Sequence, residues 1–125
     1  MPIVTEINKL GDFSAILTQS QGLIILKLGA TWCGPCQKIA NQVHAAFNTI
    51  TATYGDKVVC CDIDVDESFE LYAFLKNKKM VNGIPAILCW YKGNATFIPD
   101  DSVHGSDIDG LSQFFHRCAN KLSLL

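Results

Sequence analysis

The sequence has no long apolar run and little excess charge of either sign. Its 125 residues carry 10 basic and 12 acidic side chains, a formal net charge of −2. No apolar stretch approaches the roughly 20 residues that span a bilayer, and a nearly neutral chain gives no electrostatic reason to bind nucleic acid or an anionic membrane. The first ten residues lack a basic segment followed by a long apolar stretch, so no signal peptide is expected. These absences favour a soluble cytoplasmic protein.

Complete metal-binding patterns are also missing. A structural zinc site needs four ligands, commonly from two Cys-x-x-Cys pairs or from one pair and two histidines. The chain has one such pair, and His104 and His116 do not have the three-to-five-residue spacing of a histidine pair. The segment 62–73 starts with alternating aspartates but lacks the glycine and the final glutamate of a calcium loop. No metal site is therefore predicted.

What the chain does have is enough apolar material for a core. Hydrophobic residues make up 49% of the composition and charged residues 18%, which predicts one globular domain over residues 1–125. Six cysteines in such a chain do not indicate the disulfide framework of a small secreted protein. Four of them lie in apolar or helical patterns and are interpreted as small buried hydrophobes, with regulatory oxidation as the alternative: Cys60, Cys61, Cys89 and Cys118.

The apolar patterns predict strands that alternate with helices. Strands are predicted over 2–7, 22–30, 56–65, 85–91 and 95–98, and helices over 11–20, 34–53, 67–79 and 106–122. The continuous apolar run at 22–30 is typical of a central strand that is buried on both faces. The last two strands should form a hairpin, so a mixed sheet with helices on both faces is expected. Candidate inward positions of the third helix are Phe69, Tyr72, Ala73 and Leu75.

Cys33 and Cys36 follow the buried strand and open the second helix. Unpaired N–H groups and the macrodipole at a helix N-terminus favour an anion, so Cys33 is predicted to be an exposed thiolate nucleophile. Cys36 lies one turn further, within disulfide reach. Pro35 suits a first turn, where its missing N–H is not needed, and Gly34 leaves room for an approaching sulfur. The pattern predicts dithiol–disulfide exchange, in which Cys33 attacks a substrate disulfide and Cys36 resolves the mixed disulfide.

The motif Ala-Thr-Trp-Cys-Gly-Pro-Cys at residues 30–36 resembles the active site of the thioredoxin family, and the resemblance covers almost the whole chain. It implies an α/β thioredoxin fold with a mixed central sheet. Segment 83–88 resembles the family segment that carries a cis-proline, here Pro85, after a residue whose backbone binds extended substrates. The resemblance implies that six residues line the substrate groove: Trp32, Gly34, Pro35, Ile84, Pro85 and Gly105.

Lys27 departs from the family pattern. Thioredoxins usually have a buried aspartate at this position, which helps to take the proton from the second cysteine. A buried charge needs a partner, and our hypothesis is that Lys27 pairs with Asp62 beneath Cys36 and tunes the pKa of the dithiol. The alternative is that Lys27 extends to solvent along its methylene stem. A cation near the dithiol stabilises thiolates, so the protein is predicted to be a weaker reductant than an ordinary thioredoxin.

These observations predict a thiol–disulfide oxidoreductase that reduces protein disulfides. It would need no bound cofactor, and an upstream disulfide reductase or dithiol donor would recycle it. The alternative is a thioredoxin-like partner-binding or assembly module with secondary redox activity. His104 adjoins Gly105, and contact with a substrate and simple solvation both remain open for its side chain.

Overall fold

The structure is a computed structural model that describes residues 3–125, and it has four strands and four α-helices in that range. The strands are β1 (Leu23–Gly29), β2 (Val58–Asp64), β3 (Ala86–Trp90) and β4 (Asp101–His104). The helices are α1 (Leu10–Gln19), α2 (Gly34–Tyr54), α3 (Phe69–Asn77) and α4 (Ile108–Ser123). Most of these elements fall within two or three residues of their predicted bounds.

The strands form one mixed sheet in the order β2-β1-β3-β4. Strand β1 runs parallel to β2 and antiparallel to β3, and β3 pairs with β4 as an antiparallel hairpin. Every residue of β1 is buried, because this central strand is covered on both faces. The mixed sheet predicted from the sequence is confirmed.

Two helices cover each face of the sheet. The apolar stripe of α2, including Val43 and Phe47, packs with Leu111 and Phe114 of α4 in one cluster. The other cluster joins the α1 and α3 side chains to the opposite face of the sheet, and it also contains Cys33 and Cys36. The redox pair therefore belongs to the core on the α1–α3 side.

The predicted strand at 95–98 is wrong, and the strand that pairs with β3 is Asp101–His104. Local side-chain hydrogen bonds explain the difference, because Asn and Thr side chains offer the backbone an alternative to a ladder. The Asn94 Nδ2 donates to the Ile98 carbonyl at 2.8 Å, and the Thr96 N–H donates to Asn94 Oδ1 at 3.0 Å. The chain therefore turns through this segment and joins the sheet later.

The predicted edge strand at 2–7 is reduced to a single bridge, and its first residue lies outside the described residues. Val4 forms a parallel bridge with Cys61. The Ile7 N–H then donates to the buried Ser68 Oγ at 3.0 Å. The chain thus leaves the sheet edge after one contact.

Phe69 is not an inward position of α3, and its side chain is 68% exposed. The buried positions are Leu71 and Leu75, which are four residues apart and share one face. Phe69 precedes Leu71 by two residues, so it lies on the opposite side of the helix. Among residues 3–125, no helix is long and apolar enough to cross a membrane.

Candidate active site

The two cysteines of the motif lie at the N-terminus of α2, shortly after the central strand β1 ends. Cys33 is the N-cap residue of α2, and Cys36 lies in its first turn. Their Cα atoms are 5.2 Å apart and their sulfurs are joined in a disulfide. The predicted pairing of Cys33 with Cys36 is therefore present.

One backbone N–H of α2 donates to the Cys33 sulfur, and another donates to the Cys33 carbonyl. The Cys36 N–H donates to Cys33 Sγ over 3.2 Å, and the Gln37 N–H donates to the Cys33 carbonyl over 3.1 Å. Pro35 occupies the first turn, where the helix has no use for its missing N–H. The Cys36 N–H and the helix dipole favour negative charge at the Cys33 sulfur once the disulfide is reduced.

Cys33 is less exposed than the sequence predicted. In the disulfide form its exposed fraction is 6%, and that of Cys36 is 3%. As an N-cap, the Cys33 side chain folds over the first turn toward Cys36, which turns its sulfur away from solvent. Its neighbours Trp32, Gly34 and Pro35 are exposed, so the protein surface around the sulfur remains open.

Lys27 and Asp62 occupy paired positions on the parallel strands β1 and β2. The Lys27 Nζ lies 3.4 Å from Asp62 Oδ1, the separation of an ion pair. The lysine side chain is 10% exposed and the aspartate side chain 24%. Strand register alone brings these two charges together, and Lys27 does not extend freely into solvent.

A cavity of about 470 Å³ connects this ion pair with the resolving cysteine. Its lining includes Lys27, Asp62 and Cys36, together with Gly29. A Cβ atom on Gly29 would lie 3.5 Å from Cys36 Sγ and 3.6 Å from Lys27 Cε. Because both atoms are this close to one point, Cys36 Sγ and Lys27 Cε are at most about 7 Å apart, which brings the ammonium on Cε near enough to interact with a charged sulfur.

The same cavity contains acidic residues that the sequence analysis did not assign to the site. Asp64 and Glu67 line it beside Asp62. The alternation of aspartates at 62–66 was the available signal, but apart from Asp62 it predicted no role at the dithiol. Lys27 is the only basic residue of this lining, which otherwise carries three carboxylates.

The expected substrate groove divides into two parts. Ile84, Pro85 and Gly105 line one shallow pocket of about 270 Å³, and the Ile84–Pro85 peptide bond is cis, as the family resemblance implied. The Gly105 N–H donates to the Pro85 carbonyl at 2.9 Å, and Gly105 has a φ of 78°, a conformation that suits glycine. Trp32, Gly34 and Pro35 do not line this pocket but surround Cys33.

Trp32 is held by a residue that sequence reasoning missed. Its side chain is 68% exposed, and the indole N–H donates to Asp66 Oδ2 at 2.7 Å. The backbone of Asp66 is itself held in place, because its N–H donates to Asp64 Oδ1 at 2.8 Å. This arrangement fixes a flat apolar surface beside the disulfide.

The other four cysteines are free thiols in the core. Burial raises the pKa of Cys60 to about 12 and also raises the pKa of Cys61. The hydrogen bond with the Cys118 thiol, followed by burial, raises the pKa of Cys89. Among residues 3–125, no group of three or more His, Cys, Asp or Glu side chains is arranged to hold a metal ion.

Comparison with known proteins places this geometry in a family. The family model described as Thioredoxin matches residues 4–117. Thioredoxin 1 of Plasmodium falciparum is 26% identical over 117 residues, which cover 94% of this chain and 99% of the relative. Thioredoxin of Gallus gallus is 32% identical over 91 residues, covering 63% of this chain and 82% of the relative.

Solved structures agree with the fold. The X-ray structure of Fasciola hepatica thioredoxin superposes with a TM-score of 0.69 at 23% identity, over 93% of this chain and 99% of that one. A Plasmodium falciparum thioredoxin structure gives a TM-score of 0.66 at 26% identity, over 92% of this chain and 98% of that one.

The chain therefore belongs to the thioredoxin family. With its paired Cys33 and Cys36 at the N-terminus of α2, it is a thiol–disulfide oxidoreductase that supports dithiol–disulfide redox chemistry.

Proposed function

We propose that the protein reduces disulfides in other proteins, with Cys33 as the nucleophile and Cys36 as the resolving cysteine. The Cys33 thiolate attacks a substrate disulfide, forms a mixed disulfide, and releases one substrate sulfur as a thiolate. The Cys36 thiolate then attacks Cys33 Sγ and releases the second substrate sulfur. Two electrons pass from the dithiol to the substrate, and the released thiolates take up protons according to their pKa values.

The observation that carries this proposal is the bonded pair at the N-terminus of α2. The Cys36 nitrogen already lies 3.2 Å from Cys33 Sγ, so its N–H is in position to stabilise a Cys33 thiolate. The pair also lies beside exposed surface, at Trp32, Gly34 and Pro35, where a protein substrate has access.

The groove proposed for the substrate uses both parts of the surface around Cys33. The flat face of Trp32 and the exposed Gly34 and Pro35 form one side. Ile84, Pro85 and Gly105 line the pocket on the other, where the Ile84 backbone is proposed to bind an extended substrate segment. A substrate cysteine between these two parts would meet the Cys33 sulfur.

Lys27 and Asp62 are proposed to tune the dithiol. Lys27 Cε, the carbon that carries the ammonium, lies within about 7 Å of Cys36 Sγ, and the nearby positive charge favours a Cys36 thiolate. Asp62, at 3.4 Å from that ammonium, limits its effect. The cavity between them opens to solvent, so water can accept the proton of Cys36 in place of the family aspartate.

The physiological setting is also part of the proposal. We propose that residues 1–125 act as one domain in the cytoplasm, where the protein carries electrons and maintains redox balance. The four buried free thiols fit a reducing compartment. An upstream disulfide reductase or a dithiol donor would return the Cys33–Cys36 disulfide to the dithiol.

Reduction of insulin with dithiothreitol as electron donor tests the function. The native chain should accelerate precipitation of the insulin chains, and Cys33→Ser should reduce the rate to that of dithiothreitol alone. Cys36→Ser should instead accumulate a mixed disulfide with its substrate, visible as a mass increase that excess dithiothreitol removes. Activity that survives Cys33→Ser contradicts the proposal, and an inactive native chain would favour the partner-binding module.

A further inference from the structure

The pocket beside the cis-proline has a chemical character of its own. Two of the six residues that line it, Asn82 and His104, have polar side chains, and the others are glycines, Ile84 and Pro85. No carboxylate lines it. Its small volume of about 270 Å³ matches one or two side chains of a bound segment rather than a whole ligand.

The sheet fixes His104 on the same side as the redox pair. His104 is the last residue of β4 and lies directly opposite Ala86 of β3, so the two side chains share one face of the sheet. Ala86 belongs to the core cluster that contains Cys33 and Cys36. The alternation along β4 agrees, because Val103 packs with the opposite cluster while His104 is exposed.

Charge is distributed unequally along the segments that carry the site. The segment 62–70, whose Asp66 holds Trp32, has five carboxylates and no basic residue. The segment 71–99, which carries Asn82 and the cis-proline, has four lysines and no carboxylate. Segment 100–109, which carries His104, has four aspartates, but none of them lines the pocket. A substrate side chain that enters the pocket at His104 therefore meets hydrogen-bond donors and no carboxylate in the lining.

From this arrangement we propose that His104 and Asn82 give the enzyme a preference for disulfides with an acidic side chain next to the reacting cysteine. The inference rests on the proposed reductase function and names a substrate class for it. The imidazole has a donor N–H in its neutral form and two in its charged form, and the asparagine amide has two donors, so both residues can bind a carboxylate. Among the side chains that line the pocket, a substrate lysine finds only the Asn82 oxygen and an unprotonated imidazole nitrogen as acceptors.

Single-turnover reduction of three symmetric peptide disulfides tests the proposal. Each peptide has one cysteine flanked on both sides by glutamate, glutamine or lysine. The dithiol protein is mixed with excess peptide disulfide, and the second-order rate constant is followed by tryptophan fluorescence. The measured quantity is the ratio of the glutamate rate to the lysine rate, because this ratio cancels differences in intrinsic thiol reactivity of the enzyme.

His104→Leu should lower the ratio about threefold, the effect of one exposed polar or charged interaction. His104→Arg should restore or increase it, which also shows that the position tolerates substitution. His116→Leu is the matched control, since His116 is an exposed histidine on α4 that lines a separate cleft, and it should leave the ratio unchanged.

Two results overturn the proposal while leaving the reductase function intact. One is the same glutamate-to-lysine ratio in the native chain and in His104→Leu. The other is an equal slowing of all three peptides by His104→Leu, which shows a purely structural role. Failure of the native chain to reduce insulin is a different result, since it overturns the proposed function itself.

Discussion

The six cysteines of the chain fall into two groups whose chemistry differs although the side chain is the same. One group is the bonded pair at the N-terminus of α2, where a backbone N–H lies 3.2 Å from Cys33 Sγ. The other group consists of buried free thiols on the strands and on α4: Cys60, Cys61, Cys89 and Cys118.

Burial alone does not separate the two groups, because Cys33 and Cys36 are themselves only 6% and 3% exposed. The difference lies in what surrounds each sulfur. The pair has a backbone donor, a helix dipole and a solvent-open cavity with a lysine. The core thiols have apolar neighbours and each other, which raises the pKa values of Cys60, Cys61 and Cys89. Local polar groups thus decide which cysteine is reactive.

The largest expected effect comes from removing one sulfur of each group in turn. Cys33→Ser should abolish disulfide reduction, because a serine hydroxyl is not ionised at neutral pH and cannot form the mixed disulfide. Cys60→Ala should keep at least half of the activity and lower only the free energy of unfolding. Insulin reduction and urea unfolding measure the two effects. Equal loss of activity in both variants would contradict the division into a reactive pair and inert core thiols.

Alkylation should separate the groups within a single molecule. Iodoacetamide at neutral pH should modify the reduced native protein at Cys33 first, while the four core thiols stay protected until the chain unfolds. Mass spectrometry of native and urea-unfolded samples counts the labels. Early labelling of Cys118 or Cys89 in the native protein would contradict this expectation.

Alkaline pH should act on the core thiols through the stability of the fold. Cys60 has a pKa of about 12 in the folded chain and an ordinary value near 9.0 when unfolded. The free energy of unfolding that the buried, neutral Cys60 thiol contributes is therefore fully present below pH 9. It is lost as the pH rises from 9 toward 12, by about 1.4 kcal/mol per pH unit for each such thiol. Urea unfolding at pH 8 to 11 should show this decline.

Cys60→Ala provides the control for that measurement. The variant should be less stable at pH 8, but its stability should fall less steeply with pH because one thiol has been removed. The same slope in both proteins would mean that Cys60 does not contribute to alkaline unfolding.

The smallest effect is expected at Lys27, which is proposed to tune the reactivity of the dithiol without creating it. Lys27→Asp replaces a cation near Cys36 by an anion, destabilises the thiolates and should lower the reduction potential by about 30 mV per pKa unit of change. Equilibration with glutathione buffers measures the reduction potential of the Cys33–Cys36 pair. Lys38→Gln is the matched control, since Lys38 is exposed on α2, and an unchanged or raised potential in Lys27→Asp would refute the tuning role.

The sequence predicted the parts of the fold that depend on long apolar runs. The run at 22–30 identified the central strand, and helical spacing identified α2 and α4. It failed where short polar side chains compete with the backbone, as at Asn94 and Thr96, which keep the segment 95–98 out of the sheet. It also failed for Phe69, because two residues of shift on a helix change an inward position to an outward one.

For the site, the motif was sufficient to predict the bonded pair and the order of its elements. The closeness of Lys27 and Asp62 depended on the register of β1 and β2, which no local pattern reports. The hydrogen bond from Trp32 to Asp66 and the pocket at Asn82 join residues 22 or more positions apart. Such contacts depend on the topology of the fold, so the local spacing of residues in the sequence does not predict them.

The disulfide links residues only three positions apart in the chain. A cross-link across so short a loop removes little entropy from the unfolded chain, and the loop-closure relation gives about 2 kcal/mol, against nearly 5 for a loop of 100 residues. Forming or breaking the bond therefore changes the free energy of unfolding by less than half of what a long loop would give. In the proposed catalytic cycle the domain passes repeatedly between the two states, and the short loop limits how much its stability changes at each passage.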